Sequence, residues 1–186
     1  PMSELITARA ESVARTLAHE AGKPIRDARG EVARAVGTLA LSAEEARRWG
    51  GEWMPFGGRS GLVRRFPVGP VLAITPFNFP LNLACHKIAP ALAVGCPMIH
   101  KPASQTPLTA LALAEIAVEA GVPPGALQTL PMPSPEAERL LSDPRIAAVS
   151  FTGSPAVGWA LRAKAGTKRV SLELGGNAAV ILEEVD

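Results

Sequence analysis

The sequence lacks the features that mark membrane, disulfide-stabilised or nucleic-acid-binding proteins. No apolar run reaches the roughly 18 residues of a membrane span, because His86, Lys87 and two prolines interrupt the stretch 81–99. The chain has only two cysteines, Cys85 and Cys96, which are too few for a disulfide framework. A net charge of +2 without a basic cluster argues against nucleic acid as a partner. With no signal-peptide pattern at its start, the chain is predicted to be soluble and cytoplasmic.

Two further signatures are missing. Neither G-x-G-x-x-G nor a Walker A motif occurs, so the two common nucleotide fingerprints are absent. His86 and His100 lack metal-ligand spacing to any cysteine or carboxylate, and His19 is expected on a helix surface, so no metal site is predicted.

What is present is an ordinary globular composition, 47% hydrophobic and 19% charged. Residues 1–69 are predicted to form an N-terminal helical segment followed by a strand or hairpin. Apolar spacing predicts helices over 3–21 and about 27–49, separated by the stop signal Gly22-x-Pro24. A glycine-rich and then β-branched stretch follows over 54–76.

From residue 70 onward, strand and helix patterns alternate. Strands are predicted at 71–75, 97–101, 126–130, 146–151 and 169–174, with a further candidate at 178–182. Helices are predicted at about 80–94 (broken at Pro90), 107–120, 134–141 and 155–165. This alternation favours a Rossmann-like α/β domain over 70–186, an open parallel sheet flanked by helices.

The stretch ITPFNFP (74–80) places Asn78 in a turn between a buried strand and a helix. In open α/β sheets, the carboxyl ends of the strands line the ligand crevice. An amide there could donate a hydrogen bond to a developing oxyanion. The alternative is an asparagine that only makes a turn hydrogen bond before a proline.

The stretch SFTGSPAVG (150–158) is predicted to be a strand, a tight turn and a helix N-terminus. Such N-termini suit phosphate because of their free N–H groups and the helix dipole. Many helices also begin with Ser-Pro and bind nothing.

Together these stretches resemble one family. TPFNFPLNL, HKIAPALAVGCPMIHKPASQTPLTAL, EAGVPPGALQTLP, VSFTGSPAVG and LELGG occur in this order. The string resembles the NAD(P)-dependent aldehyde dehydrogenase superfamily, and GKPIRDARGEV (22–32) extends the resemblance over nearly the whole chain. It implies oxidation of a small-molecule aldehyde through a cysteine thioester, with NAD or NADP as cofactor. A five-stranded variant of the Rossmann sheet, which accounts for the missing G-x-G-x-x-G, and a dimer or tetramer of the full-length enzyme are also implied.

The resemblance assigns two catalytic residues. Asn78 matches the asparagine that stabilises the oxyanion. Glu173, in LELGG, matches the general base that activates water for deacylation. A glutamate at the end of an apolar strand can have its pKa raised by desolvation.

The resemblance also assigns a set of cofactor-binding positions. Lys101 matches the lysine that binds the adenosine ribose, and Ser154 matches the residue at the pyrophosphate. The other positions along the expected cofactor path are Thr75, Pro76, Phe77, Ser104, Phe151, Gly153, Leu174 and Gly175.

The chain departs from the family pattern at three places. Ser104 stands where strongly NAD-preferring members often have glutamate, and removing that charge allows NADP as well as NAD. Met132 stands where many members have glycine. The family nucleophile lies a few dozen residues beyond LELGG, whereas this sequence continues for 13 residues after Glu173. The chain alone is therefore expected to be inactive, with Cys85 and Cys96 as core residues.

One alternative is a non-catalytic nucleotide-binding fragment or module, which needs the same sheet but no thiol. A second is an acylating or reductase-type member that uses coenzyme A or phosphate. Those members often lack the base glutamate, so Glu173 argues against them.

Overall fold

The computed structural model describes residues 1–183, and its first elements are three helices, α1 (Met2–Ala8), α2 (Ala10–Ala21) and α3 (Ile25–Ala46). The single helix predicted over 3–21 is divided at Arg9, whose φ of −110° and ψ of 16° leave the helical region. Helix α2 ends as predicted, because Gly22 takes a left-handed φ of 64°.

A hairpin follows the helices. Strands β1 (Glu52–Phe56) and β2 (Arg59–Val63) pair antiparallel in a separate two-stranded sheet. Both residues of the turn, Gly57 and Gly58, have positive φ, at 53° and 80°, as a two-residue hairpin loop requires. The strand or hairpin predicted for this region is confirmed.

The second sheet has five strands, all parallel to their neighbours, in the order β5-β4-β3-β6-β7. Counted along the chain this is 3-2-1-4-5, the order of the Rossmann sheet without its sixth strand. The predicted Rossmann-like class is therefore confirmed. The strands are β3 (Val71–Ile74), β4 (Met98–Lys101), β5 (Leu127–Thr129), β6 (Ala148–Thr152) and β7 (Arg169–Glu173). The helices are α4 (Asn82–Ala93), α5 (Pro107–Glu119), α6 (Ser134–Leu141) and α7 (Pro155–Lys164).

Two predictions of local structure are wrong. Helix α4 is not broken at Pro90 but continues to Ala93, because an exposed proline there removes one hydrogen bond while the rest of the helix stays packed. The segment 178–182 forms no strand. Its side chains are exposed, and it pairs with no strand in the part of the chain that the structure describes.

The core lies on both faces of the large sheet. Strand β3 directs Val71 and Ala73 into one cluster and Leu72 into another, because successive side chains alternate between faces. The first cluster includes residues of α1, α2 and α3 together with α4 and α5; the second includes residues of α6 and α7. The N-terminal helices thus share a core with half of the sheet. The division between residues 69 and 70 stays a prediction, and so does the extension of the second domain to residue 186, since 184–186 lie outside the described residues.

Candidate functional site at the carboxyl edge of the sheet

The residues predicted for the site converge on one edge of the large sheet. Ile74 pairs with Lys101 on one side and Phe151 on the other, and Thr152 pairs with Glu173. Because the strands are parallel, the loops that follow β3, β4, β6 and β7 all emerge at this edge. Strands β4 and β5 are added on one side of β3, and β6 and β7 on the other, so the order reverses between the neighbours β3 and β6. In doubly wound folds, ligands bind at such a switch point.

The loop after β3 fixes the orientation of Asn78. Its Oδ1 accepts a hydrogen bond from the Phe79 backbone N–H at 3.0 Å, and only the oxygen of the amide can do so. The Asn78 side chain is exposed, and its Nδ2 donates to no group within residues 1–183. The turn hydrogen bond considered as the alternative is present, but it uses only the oxygen. The donor nitrogen remains available for an oxyanion.

Glu173 ends β7, which is the edge strand of the sheet. Its backbone C=O accepts the Gly153 N–H at 3.0 Å, which ties the two strand ends together. The side chain is exposed. The burial expected around this carboxylate is absent from residues 1–183, because no further strand covers β7 there.

A second charged residue, Lys87, lies near Glu173 and was treated in the sequence only as an interruption of an apolar run. It projects from α4, is 8% exposed, and donates from Nζ to Ser150 Oγ at 2.9 Å. Burial lowers the pKa of Lys87 to about 8, and the negative charge of Glu173 opposes this shift. A lysine in a helix of mostly apolar residues was the signal that could have identified it.

The residue that follows β3 is joined to the end of β4 by a buried polar contact. Thr75 Oγ1 lies 2.9 Å from His100 Nε2, and the Thr75 N–H donates to Lys101 C=O at 3.2 Å. His100 is fully buried; burial and the neighbouring Lys87 and Lys101 lower its pKa to about 4, so it is neutral at pH 7. The Thr75 hydroxyl is therefore directed into the protein interior, and its contact with His100 stabilises this edge of the sheet.

Lys101, the predicted ribose ligand, is largely buried, and desolvation lowers its pKa. Its Nζ has no hydrogen-bond or ion-pair partner within residues 1–183. Ser104 is exposed in the loop that leads from β4 to α5. Beside Thr75, Pro76 is half-buried and Phe77 is 53% exposed. These residues lie at or just after the carboxyl ends of β3 and β4.

The turn between β6 and α7 has the form predicted for a phosphate site. Ser154 is the N-cap of α7, with an extended backbone, and its side chain caps no N–H group. The first turn of α7 therefore keeps its donors without a side-chain partner in the described part of the chain. Gly153 must lack a side chain, since an added Cβ would lie 2.5 Å from the Phe151 ring. Phe151 is buried and supports this turn from the core.

The residues after β7 pack against the start and first turns of α7. Leu174 is half-buried, and an added Cβ on Gly158 would lie 2.4 Å from its Cδ2. Gly175 is exposed and approaches the Pro155 ring, while Gly176 faces open space. Within residues 1–183 no contact requires glycine at position 176.

The two cysteines have the character predicted for them. Cys85 is fully buried, and burial together with the charge of Glu31 raises the pKa of its thiol to about 12. Cys96 is also buried, near the start of β4. Neither thiol is accessible, and a nucleophilic cysteine needs access to its substrate.

Pocket size alone does not identify this site. An apolar pocket of about 560 Å³ lies at the opposite edge, beside the amino ends of β4 and β5. A basic pocket of about 460 Å³ lies next to Asn78 and Phe79, lined also by Lys23 and Arg34. The described residues hold no cluster of potential metal ligands and no helix long and apolar enough to cross a membrane.

A five-stranded parallel sheet in this order, with polar groups gathered at its switch point, defines a Rossmann-like α/β protein. Comparison with known proteins gives the family. The aldehyde dehydrogenase family matches residues 1–186, and the chain belongs to that family.

Three similar proteins illustrate the relationship. The 3-sulfolactaldehyde dehydrogenase of Priestia aryabhattai is 49% identical over 98% of this chain, which spans 40% of that relative. The structure of aldehyde dehydrogenase 21 from Physcomitrella patens, in complex with the product succinate, has a TM-score of 0.91 and 47% identity, covering 95% of this chain and 38% of that one. Glyceraldehyde-3-phosphate dehydrogenase from Methanocaldococcus jannaschii, in complex with NADP, has a TM-score of 0.89 and 42% identity, covering 94% of this chain and 40% of that one. The chain therefore spans about two fifths of the relatives it matches.

Proposed function

We propose that this chain is part of an NAD(P)-dependent aldehyde dehydrogenase that oxidises an aldehyde to a carboxylic acid through a cysteine thioester. The observation that carries the proposal is the anchored amide of Asn78. Its Oδ1 is held by the Phe79 N–H at 3.0 Å, so Nδ2 is left as the donor end of the amide, at the sheet edge where β7 ends in Glu173. A fixed donor and a carboxylate on one edge suit a reaction that passes through an oxyanion and ends in hydrolysis.

In this proposal, each side chain has one task. Asn78 Nδ2 donates to the oxygen of the tetrahedral adduct. Glu173 takes a proton from the water that attacks the thioester. Lys87, with its pKa lowered to about 8, places a cation near Glu173 that can release its proton close to neutral pH. The thiolate is supplied by neither Cys85 nor Cys96, and the proposal assigns it to another segment of the enzyme.

The dinucleotide would lie across the switch point. When bound, it accepts the hydride. The first-turn N–H groups of α7 and the Ser154 hydroxyl suit its pyrophosphate, and Lys101 Nζ suits the hydroxyls of its ribose. Ser104 carries no charge that would repel a 2′-phosphate, so both NAD and NADP are proposed. NADP in the complex of the Methanocaldococcus jannaschii relative supports the second.

We further propose that the aldehyde carries an anionic group. The pocket of about 460 Å³ beside Asn78 is lined by Lys23, Arg26 and Arg34. Lys23 is paired with Glu31 and Arg26 with Asp27, so Arg34 supplies the charge that no carboxylate of residues 1–183 balances. Arg34 lies with its guanidinium carbon 5.0 Å from the centroid of the Phe79 ring, next to the proposed oxyanion donor. The relatives support this choice, since their names give sulfolactaldehyde, succinate and glyceraldehyde-3-phosphate. Cytoplasmic location and assembly into a dimer or tetramer stay predictions.

The test is Glu173→Gln in the enzyme that carries this chain. Hydride transfer precedes deacylation, so the variant should release about one reduced cofactor per site and then stall, with an acyl adduct detectable by intact mass. Glu136→Gln, at an exposed position in the first turn of α6, is the matched control and should turn over normally. Normal steady-state turnover by Glu173→Gln would contradict the base assignment. Dinucleotide binding without aldehyde oxidation by the unmodified enzyme would instead favour the non-catalytic module.

A further inference from the structure

The fully buried carboxylate of Glu31 has no task in the proposed reaction. It lies on α3 with 0% of its surface exposed, and buried carboxylates are rare unless they are paired and hydrogen-bonded. Its Oε1 accepts the backbone N–H groups of Leu81 at 2.9 Å and Asn82 at 3.0 Å. These groups lie at the start of α4, where the N-cap residue Leu81 offers no side-chain cap. Glu31 thus caps a helix 50 residues further along the chain.

The other oxygen of Glu31 binds Lys23, and Lys23 binds the oxyanion loop. Lys23 Nζ donates to Glu31 Oε2 at 2.5 Å and to the Asn78 backbone C=O at 2.6 Å. The same ammonium lies 4.5 Å from the centroid of the Phe79 ring, within the range of a cation–π contact. One largely buried cation therefore connects α3 to the carbonyl of the residue proposed as the oxyanion donor.

These contacts hold both ends of the short segment 78–82. Lys23 binds its first residue and Glu31 binds its last two residues through backbone groups. The Asn78 side chain is in turn held by the N–H of Phe79, so its direction depends on this backbone. We propose that Lys23 and Glu31 are positioning residues that set the direction of Asn78 Nδ2. This inference rests on the proposed function, because only an oxyanion donor needs such placement.

Precise placement matters at this position. Misplacing a catalytic group by about 1 Å can lower a rate on the order of 100-fold. Substituting residues that only stabilise the fold would lower the amount of folded protein. That loss would be the same in the parent enzyme and in Asn78→Ala. The two roles are therefore separable by experiment.

The experiment uses the full enzyme and the paired variant Lys23→Met/Glu31→Gln. Removing Lys23 alone would leave a buried unpaired charge and could prevent folding. Glutamine at 31 keeps an acceptor for the Leu81 and Asn82 N–H groups but carries no charge. The pair therefore removes the link to Asn78 while retaining the cap. Arg29→Met, on the exposed side of α3 in an ion pair with Glu11, is the matched control.

We expect the paired variant to lower kcat for aldehyde oxidation on the order of 10–100-fold, with KM for the dinucleotide unchanged and with Arg29→Met close to the parent. The same pair introduced into Asn78→Ala should change kcat less than about twofold, because the donor that it positions is gone. An equal loss in both backgrounds would show a purely structural role and overturn the inference. An unchanged kcat for the paired variant in the parent enzyme, which keeps Asn78, would overturn it as well.

Hydrogen exchange separates this inference from the proposed function. If the unmodified enzyme oxidises no aldehyde, the proposed function fails, and amide exchange of the segment 77–83 still reports on the positioning contacts. Faster exchange there in the paired variant, but not in Arg29→Met, supports Lys23 and Glu31 as the groups that hold the loop. Unchanged exchange overturns that assignment whatever the enzyme catalyses.

Discussion

Replacing Lys87 with methionine gives a direct test of the electrostatics of the candidate site. The lysine lies buried on α4, with Ser150 Oγ 2.9 Å from its Nζ. Burial lowers its pKa from 10.5 to about 8, against the opposing influence of Glu173. Methionine has a similar volume and no charge, so the substitution removes the titration while leaving the packing close to its original form.

The sign of the effect follows from proton linkage. Below pH 8 the folded chain carries a buried charge that the unfolded chain keeps in water, which costs stability. Between about pH 8 and 10.5 the unfolded lysine still binds a proton that the folded one has lost. The stability of the parent therefore rises with pH in this range, relative to the methionine variant.

The size of the effect is set by the gap between the two pKa values. A gap from 10.5 to about 8 corresponds to at most roughly 3 kcal/mol, at 1.36 kcal/mol per pH unit. Residual contact of the ammonium with water reduces the expected change to about 1–2 kcal/mol between pH 7 and 9.5. The free energy of unfolding of the parent, minus that of Lys87→Met, should become more positive by this amount.

Urea unfolding followed by circular dichroism at pH 7, 8 and 9.5 measures this difference. Lys164→Met is the matched control, since Lys164 is exposed and paired with Glu138 on the surface. The difference in free energy of unfolding between the parent and Lys164→Met should not change with pH over the same range. A flat difference for Lys87→Met would refute the burial argument, and it would also remove the reason for assigning Lys87 a proton-transfer task.

Three further predictions concern packing, cofactor choice and substrate charge. Gly158→Ala places a methyl group 2.4 Å from Leu174 Cδ2. The overpacking should lower the free energy of unfolding by about 1–3 kcal/mol and thereby lower the melting temperature. Gly37→Ala, in open space on α3, should raise it slightly, and equal melting temperatures would contradict the packing argument. Ser104→Glu should weaken the binding of NADP relative to that of NAD about tenfold, measured by titrating the enzyme with each dinucleotide. An unchanged ratio of the two dissociation constants would reject Ser104 as the discriminating position. Arg34→Met should raise KM about tenfold for an anionic aldehyde such as succinate semialdehyde and leave KM for propanal unchanged, whereas equal changes for both would exclude charge recognition.

The strands and their parallel pairing could be predicted from the sequence. Short apolar runs such as VLAIT, alternating with helices that begin with Thr-Pro or Ser-Pro, predict parallel pairing because consecutive β–α units pack in one sheet. The same pattern places Asn78 and Ser154 at strand ends. These inferences depend on local sequence, and the structure confirms the fold that they imply.

The parts that could not be predicted depend on which elements become neighbours. Pattern alone does not show that β7 lies at the edge, so the exposure of Glu173 was missed. The apolar run 178–182 has strong strand propensity, yet a strand also needs a partner. Lys23 and Glu31 stand in a stretch interpreted only as a helix stop and a family match. Their bonds to Asn78 and Leu81 cross about fifty residues of sequence, which no local pattern reports.

These long-range bonds change the view of the N-terminal helices. Helix α3 packs along α4 through the shared apolar core, and packing alone would make it a cover for one face of the sheet. The buried Glu31 adds a polar requirement, because its two backbone bonds provide the start of α4 with a cap that no nearer side chain supplies. A sheet that began at residue 70 would keep its strands but lose this cap and the Lys23 contact to Asn78. Wherever the domain boundary lies, the candidate oxyanion loop is held by contacts from the N-terminal helices as well as by the sheet domain that contains it.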